Sequence, residues 1–358
     1  MFILDEILSM SPYCLDKGEK DKKYREGLKE LTKKHYESCF MYKNMLDNFS
    51  FDINREYDVN EYPFLPVRLF KEYDLCSVLK ENIAKTMTSS GTTGQQVSKI
   101  YLDKTTSANQ TKTLVKITSD FLGKKRLPML IIDSKSVVKD RKLFSARGSG
   151  ILGFSMMGYD TTYALDENMQ LDYNTIEAFL EMHKGDDIFV FGFTFIIWEY
   201  LYKVLAKTCR KLDLSRGILI HGGGFKKLIE EAVDNDTYKA ELAKVCGIKK
   251  VYNYYGMVEQ TGSIFMECEC GRLHASNFSD VIIRNPKDFS ICKKGEKGLI
   301  ELVSLLPESY PGHCILSEDI GELIGEDDCP CGRCGKTFKV HGRIKTAEVR
   351  GCSDTYEK

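Results

Sequence analysis

No stretch of this 358-residue sequence is apolar for long. The longest such run, residues 188–198, is closed off by Asp187 and Glu199 and falls well short of the roughly 20 residues that a membrane span needs. Net charge is also missing. Fifty-one Lys and Arg stand against 52 Asp and Glu, a balance of −1, so no overall field favours nucleic acid or an anionic membrane surface. The opening MFILDEILSM carries Asp5 and Glu6 where an export signal requires a basic region and an unbroken apolar stretch. Internal repeats and low-complexity segments are lacking as well. What is present is ordinary globular composition, 42% hydrophobic and 29% charged, with length for about two domains at roughly 150 residues each.

Cysteine is plentiful, at 13 residues. Most stand alone, at Cys14, Cys39, Cys76, Cys209, Cys246, Cys292 and Cys314. Scattered thiols in an odd total read as reduced, largely buried groups of a reducing compartment, and with no export signal the expected location is the cytoplasm.

Along the chain, residues 1–62 read as a helical segment with Leu28 and Leu31 on one face. Pro63 and Pro66 then force an extended entry into the main body. From residue 85 strand-like and helix-like stretches alternate: a strand into Met87, another over 97–102, a helix over 105–122, then strands over 129–132, 187–195, 217–220 and 249–255. This alternation predicts an α/β fold with a largely parallel sheet. Beyond Gly262 shorter, glycine-punctuated strands predict a smaller β-rich subdomain. The expected division is 1–62, an α/β core over 63–262, a β-rich part over 263–341, and a tail over 342–358.

Five hydroxyl side chains and two glycines crowd into Thr88-Ser89-Ser90-Gly91-Thr92-Thr93-Gly94. Glycine allows backbone amides to approach a ligand and the hydroxyls add donors, so the segment suits phosphate oxygens. A Walker loop is excluded because no Gly-Lys-Ser/Thr follows, and 97–102 alternates as a strand instead of opening a helix. Nor is there a Gly-x-Ser-x-Gly nucleophile elbow here. Taken alone, the segment also fits a polar surface hairpin.

With Lys99 beyond it, this loop resembles the phosphate loop of the acyl-adenylate-forming enzymes, and further segments match in order. His221-Gly222-Gly223-Gly224 is similar to the stretch along the adenine. Tyr254-Tyr255-Gly256-Met257-Val258-Glu259 resembles the aromatic-Gly-x-x-Glu motif, Glu318-Asp319-Ile320-Gly321 the ribose segment, and Gly342-Arg343 the Gly-Arg pair near the hinge. The resemblance is strongest to the acyl-protein synthetases of the LuxE type. It is carried by residues 65–71, 191–195, 254–262, 309–313 and 347–354, and it covers nearly the whole chain from about Pro63.

That resemblance implies the N-terminal-domain fold of the superfamily, layered α/β sheets with a smaller β-rich subdomain. It implies ATP-dependent activation of a long-chain fatty acid to acyl-AMP, transfer of the acyl group to a cysteine of the chain, and delivery to a fatty-acyl reductase partner of the LuxC type. The implied roles are phosphate binding by residues 88–94, Tyr255 and Gly256 against adenine beside Gly222, Gly223 and Gly224, Asp319 on the ribose with Arg343 nearby, and Glu259 on Mg²⁺. Two departures stand out. The sequence stops soon after Gly342-Arg343, where relatives carry a further domain with a catalytic lysine, so Lys99 or Lys345 is expected to supply the cation. Val258 replaces a frequent threonine, for which Gln260 or Thr261 would compensate.

An acyl-adenylate is a mixed anhydride, and a thiolate can take its acyl group and expel AMP. Cys352, beside Arg350 and Gly351, is the expected acceptor, since a neighbouring cation favours the thiolate. The remaining clustered groups are Cys268 and Cys270 with His274, and Cys329, Cys331 and Cys334. Two short knuckles of this kind can supply four ligands to structural zinc, though spacing leaves open which four, and reduced thiols on two tight turns are the alternative. His221 and His313 are expected beside the site without catalytic roles, and the aromatic stretch 189–198 is expected in the core. Rival readings are an acyl- or aryl-CoA ligase and a non-catalytic nucleotide-binding subunit of a reductase complex.

Overall fold

The computed structural model describes residues 3–89, 96–138, 146–208, 210–225 and 231–344. In chain order the helices are α1 (Ile3–Ser9), α2 (Lys17–Ser38), α3 (Phe40–Asn48), α4 (Leu69–Glu72), α5 (Lys104–Leu122), α6 (Ala146–Phe154), α7 (Tyr173–Met182), α8 (Thr194–Ile196), α9 (Lys203–Thr208) and α10 (Asn235–Cys246). A π-helical segment, Ile197–Tyr202, joins α8 to α9. The strands are β1 (Leu65–Pro66), β2 (Lys85–Thr88), β3 (Lys99–Leu102), β4 (Leu127–Ser134), β5 (Gly158–Leu165), β6 (Ile188–Phe193), β7 (Gly217–Gly222), β8 (Lys250–Tyr255), β9 (Phe265–Glu267), β10 (Leu273–His274), β11 (Ser279–Arg284), β12 (Lys297–Ser304), β13 (Cys314–Glu326) and β14 (Lys336–Arg343). They form two compact units.

One unit is assembled from residues 3–89, 96–117 and 256–344 of the described chain. Its strands run β9-β10-β14-β13-β12-β11 with every neighbour antiparallel, and β1 lies parallel beside the start of β13. β2 and β3 make a separate hairpin. The N-terminal helices belong to this body because their apolar faces are spent on it. Tyr24, Leu28 and Leu31 of α2 are buried, and Tyr42 and Leu46 of α3 join Phe70, Ile100, Tyr310 and Ile315 in one core cluster. Asp16 caps α2 by accepting from the Glu19 amide, which satisfies one of the otherwise orphaned donors at a helix start. Lys20, nearly fully buried on α2, is neutralised by Asp280, which also pairs with Lys336.

The other unit is built from the described residues between 118 and 255. Its sheet has the order β8-β7-β6-β4-β5, all parallel. β6 and β7 are buried along their whole length, and such continuous apolar runs are what a parallel sheet covered on both faces requires. The aromatic stretch is core: Phe189 and Phe191 are wholly buried, and Phe154 stacks on Phe191 at 4.5 Å between centroids. Asp234 caps α10 and Gly247 ends it in the left-handed conformation. No helix among the described residues is long and apolar enough to cross a membrane.

Candidate active site

In the parallel unit, the glycine segment sits at the carboxyl edge of the sheet. β6, β7 and β8 are in register, so that Phe193, Gly222 and Tyr254 form one row where the strands end. Open α/β sheets bind ligands at this edge. Gly222 is packed so tightly on Tyr254 that a β-carbon would lie 2.4 Å from Cε1 of the ring, and Gly223 turns the chain out of the sheet at φ +76°. Only glycine suits both positions. The Tyr254 ring leans on Phe154, 5.0 Å between centroids. Side chains alternate along a strand, so Tyr255, half-buried, faces the other way.

Thr194, the first residue of α8, holds this turn. Its Oγ1 lies 2.6 Å from the Gly223 carbonyl oxygen, 3.1 Å from that of Gly222 and 2.9 Å from Nδ1 of His221. A hydroxyl has one proton. With that proton on the Gly223 carbonyl, the oxygen accepts from Nδ1–H of His221. Burial, with a smaller push from Lys239, lowers the His221 pKa to about 3, so the ring is neutral and serves the turn rather than proton transfer. The segment 191–195 was legible as a motif, but the role of Thr194 was not; the signal available was a lone hydroxyl ending an aromatic strand.

In the antiparallel unit, β2 and β3 are the stem of the hydroxyl-rich loop. Thr88 faces Lys99 across the hairpin. The Ser89 amide donates to the Ser98 carbonyl at 3.2 Å, and the Ser98 amide donates to Ser89 Oγ at 2.9 Å. Ser90, Gly91, Thr92, Thr93 and Gly94 lie outside the described residues, as do Lys345 and Cys352. Lys99 is half-exposed, with Nζ 3.5 Å from Asp74. The Tyr101 hydroxyl donates to the same carboxylate at 2.6 Å and, with help from Lys99, keeps Asp74 below the usual carboxylate range.

Glu259 sits on the 3₁₀ turn Val258–Gln260 and is 4% exposed. Its main-chain carbonyl accepts from the Tyr310 hydroxyl at 2.9 Å; burial, then the Glu259 charge, pushes the ionisation of that phenol far up. The two expected substitutes for the missing threonine spend their donors on main-chain carbonyls. The Gln260 amide donates to the Leu302 and Gly312 carbonyls at 3.0 and 2.8 Å, and the Thr261 hydroxyl donates to the Val258 carbonyl at 2.8 Å. Asp319 and Arg343 are direct neighbours across β13 and β14, with Nε 3.3 Å from Oδ1. His313 is a structural group, bonded to Thr32 and Tyr42 and stacked on His35.

Of the clustered cysteines, Cys268, Cys329 and Cys331 converge with His274, whereas Cys270 and Cys334 stay outside the group.

The whole sequence, residues 2–358, matches the family described as Acyl-protein synthetase, LuxE. It is 22% identical over 364 residues to the long-chain-fatty-acid–luciferin-component ligase of Aliivibrio fischeri, covering 98% of this chain and 92% of that protein. The ligase of the same name from Vibrio harveyi is 21% identical over 309 residues, with 83% and 77% covered. Among solved structures, 2-hydroxyisobutyryl-CoA ligase in the postadenylation state, in complex with 2-HIB-AMP, superposes with a TM-score of 0.70 at 14% identity, covering 93% of this chain and 70% of that one. An open conformation of the same ligase, in complex with 2-HIB-AMP and CoA, gives 0.70 at 13% identity, with 94% and 72% covered. The chain has the adenylate-forming fold and belongs to the acyl-protein synthetase family, LuxE.

Proposed function

We propose that this enzyme activates a long-chain fatty acid with ATP, carries the acyl group as a thioester on Cys352, and hands it to a fatty-acyl reductase in the cytoplasm. The observation that carries the reading is the strand-end shelf: a left-handed glycine turn clamped by Thr194, in one row with Tyr254, within a chain that matches its family end to end.

In the first step a carboxylate oxygen attacks the α-phosphorus of ATP and pyrophosphate leaves. The work of the protein is positioning and relief of phosphate charge. Tyr255 and residues 222–224 hold the adenine, Asp319 takes the ribose hydroxyls with Arg343 fixing its carboxylate, and residues 88–94 cradle the phosphates on the β2–β3 stem. Glu259 offers a hard oxygen donor on a rigid turn, which fits Mg²⁺, a metal satisfied by one or two carboxylates plus phosphates and water. When bound, that ion neutralises phosphate charge. Lys99, opposite Thr88 on the hairpin that bears the loop, is the cation assigned to the phosphates. In the second step the Cys352 thiolate attacks the acyl carbonyl, the acyl–phosphate bond breaks, and AMP departs.

Incubation of the protein with ATP, Mg²⁺ and a mixture of carboxylic acids, followed by intact-mass measurement, tests both steps. The expected result is a long-chain acyl adduct that neutral hydroxylamine removes and that Cys352→Ser lacks while retaining acid-dependent pyrophosphate exchange. AMP release that depends on added CoA, with no protein adduct, would instead identify a CoA ligase. Nucleotide binding without exchange would identify a non-catalytic subunit.

A further inference from the structure

Three segments of the antiparallel unit bring soft ligands to one point. Cys268 opens the turn after β9, His274 ends β10, and Cys329 and Cys331 lie in the turn between β13 and β14. Their ligand atoms all fall within 4.8 Å of one another. The Sγ atoms of Cys268 and Cys329 are 3.7 Å apart, and Sγ of Cys331 is 3.4 Å from Nε2 of His274. A tetrahedral zinc with bonds of about 2.3 Å to sulfur and 2.0–2.1 Å to nitrogen spaces its ligands by about 3.8 Å for S···S and about 3.6 Å for S···N. These two pairs stand close to those spacings, the sulfur pair is too far apart for a disulfide, and all three thiols are free.

We infer that Cys268, His274, Cys329 and Cys331 form a structural zinc site that locks the β9–β10 turn to the β13–β14 turn. Three thiolates and one imidazole in a tetrahedron select zinc among the common divalent ions. Four protein ligands leave no open position, so the ion is structural rather than catalytic. The backbone favours this chemistry: the Cys270 amide donates to Cys268 Sγ at 3.3 Å. Three thiolates around one Zn²⁺ leave a net negative charge, and Arg272 and Arg333 supply cations on the same two turns. Their pairs with Asp328 at 3.2 Å and Glu269 at 2.7 Å already bridge one turn to the other. His274 occupies the middle strand, paired with Met266 of β9 and Thr337 of β14. An ion held here closes a loop of more than fifty residues, where a cross-link restricts the unfolded chain most. Sequence spacing offered six candidate groups; the fold selects four, drawing in His274 and leaving out Cys270 and Cys334.

The test uses the full chain, produced in zinc-supplemented medium and purified without chelator. Elemental analysis should find equimolar zinc. Cys270→Ser and Cys334→Ser should keep it, Cys331→Ser should lose most of it and melt lower, and His274→Cys should retain it. Refolding with cobalt should give the intense visible absorption of a tetrahedral ion with sulfur charge transfer, blue-shifted or red-shifted in His274→Cys but not in Cys270→Ser. If Cys331→Ser fails to fold, the cobalt spectrum of the unaltered chain decides. Folded, metal-free protein after zinc-replete purification, stoichiometric iron in place of zinc, zinc that survives Cys331→Ser, or an octahedral cobalt spectrum would each overturn the inference.

Discussion

The hydroxyl of Thr194 lies 2.6 Å from the carbonyl oxygen of Gly223, so the first residue after β6 pins the first left-handed residue after β7. Both lie at the carboxyl edge of a parallel sheet, where a ligand is met by strand ends and not by side chains in mid-strand.

Replacing that hydroxyl by a methyl, Thr194→Val, keeps the shape and leaves His221 Nδ1 and the Gly223 carbonyl without it. Losing partners of buried polar groups costs about 1–3 kcal/mol. The expected outcome is a rise in KM for ATP in pyrophosphate exchange of about tenfold, the equivalent of about 1.4 kcal/mol, with an unchanged circular dichroism spectrum. An unaltered KM would show that the turn holds its shape without the clamp.

Gly222→Ala drives a β-carbon into the Tyr254 ring, and that ring has Phe154 behind it. Overpacking of this kind costs about 1–3 kcal/mol. A lower melting temperature is expected, and Tyr254→Ala should cost less in the Gly222→Ala background than alone. Additive costs in this cycle would mean that the two groups do not press on each other.

Arg343 and Asp319 form a partly exposed pair, with 40% and 16% of their side-chain surfaces open. Such pairs contribute at most about 1 kcal/mol to stability. Arg343→Ala should therefore leave thermal unfolding nearly unchanged while raising KM for ATP. If melting falls steeply and KM does not move, the pair is structural and has no part in holding the ribose.

Glu259→Gln preserves the side-chain volume, and the Tyr310 bond to the main-chain carbonyl is untouched by it. Exchange should fall about tenfold or more and require higher Mg²⁺, whereas stability should change little. Full exchange at ordinary Mg²⁺ would remove Glu259 from the metal.

Acid should weaken both units. His221 and His313 are buried, and that burial lowers each pKa to about 3 from an ordinary 6.5. Between those values the unfolded chain binds protons that the folded chain refuses, so the stability tied to neutral rings is complete above about pH 6.5 and is lost as pH falls toward 3. Denaturant midpoints measured from about pH 7 down to about pH 4 should decline, and the decline should be shallower in His313→Gln. Equal slopes in the two proteins would mean that His313 titrates alike folded and unfolded.

Much of this protein was decided locally. The helix over 104–122 and the strands at 127–134, 188–193, 217–222 and 250–255 follow from apolar runs, glycines and caps, because buried strands and amphipathic helices carry their periodicity in the chain itself. Beyond Gly262 the expectation of shorter strands does not hold for β12, β13 and β14, to which antiparallel pairing gives lengths of 8, 13 and 8 residues. The motif segments that resemble an adenylate-forming enzyme are likewise contiguous and can be read in one dimension.

Other features depend on residues that are far apart. The antiparallel unit unites residues 3–89 with 256–344, so α2 finds its partners more than two hundred positions away, with Tyr24 bonded to the Asn277 carbonyl. Nothing in a local pattern states which thiol faces which imidazole, or that Gln260 spends its amide on Leu302 and Gly312. Strand register settles those choices: it sets Asp319 opposite Arg343 and gathers His274 with Cys331. Residue types establish what chemistry is available, and only the pairing of distant strands brings the reacting or ligating atoms within bonding distance.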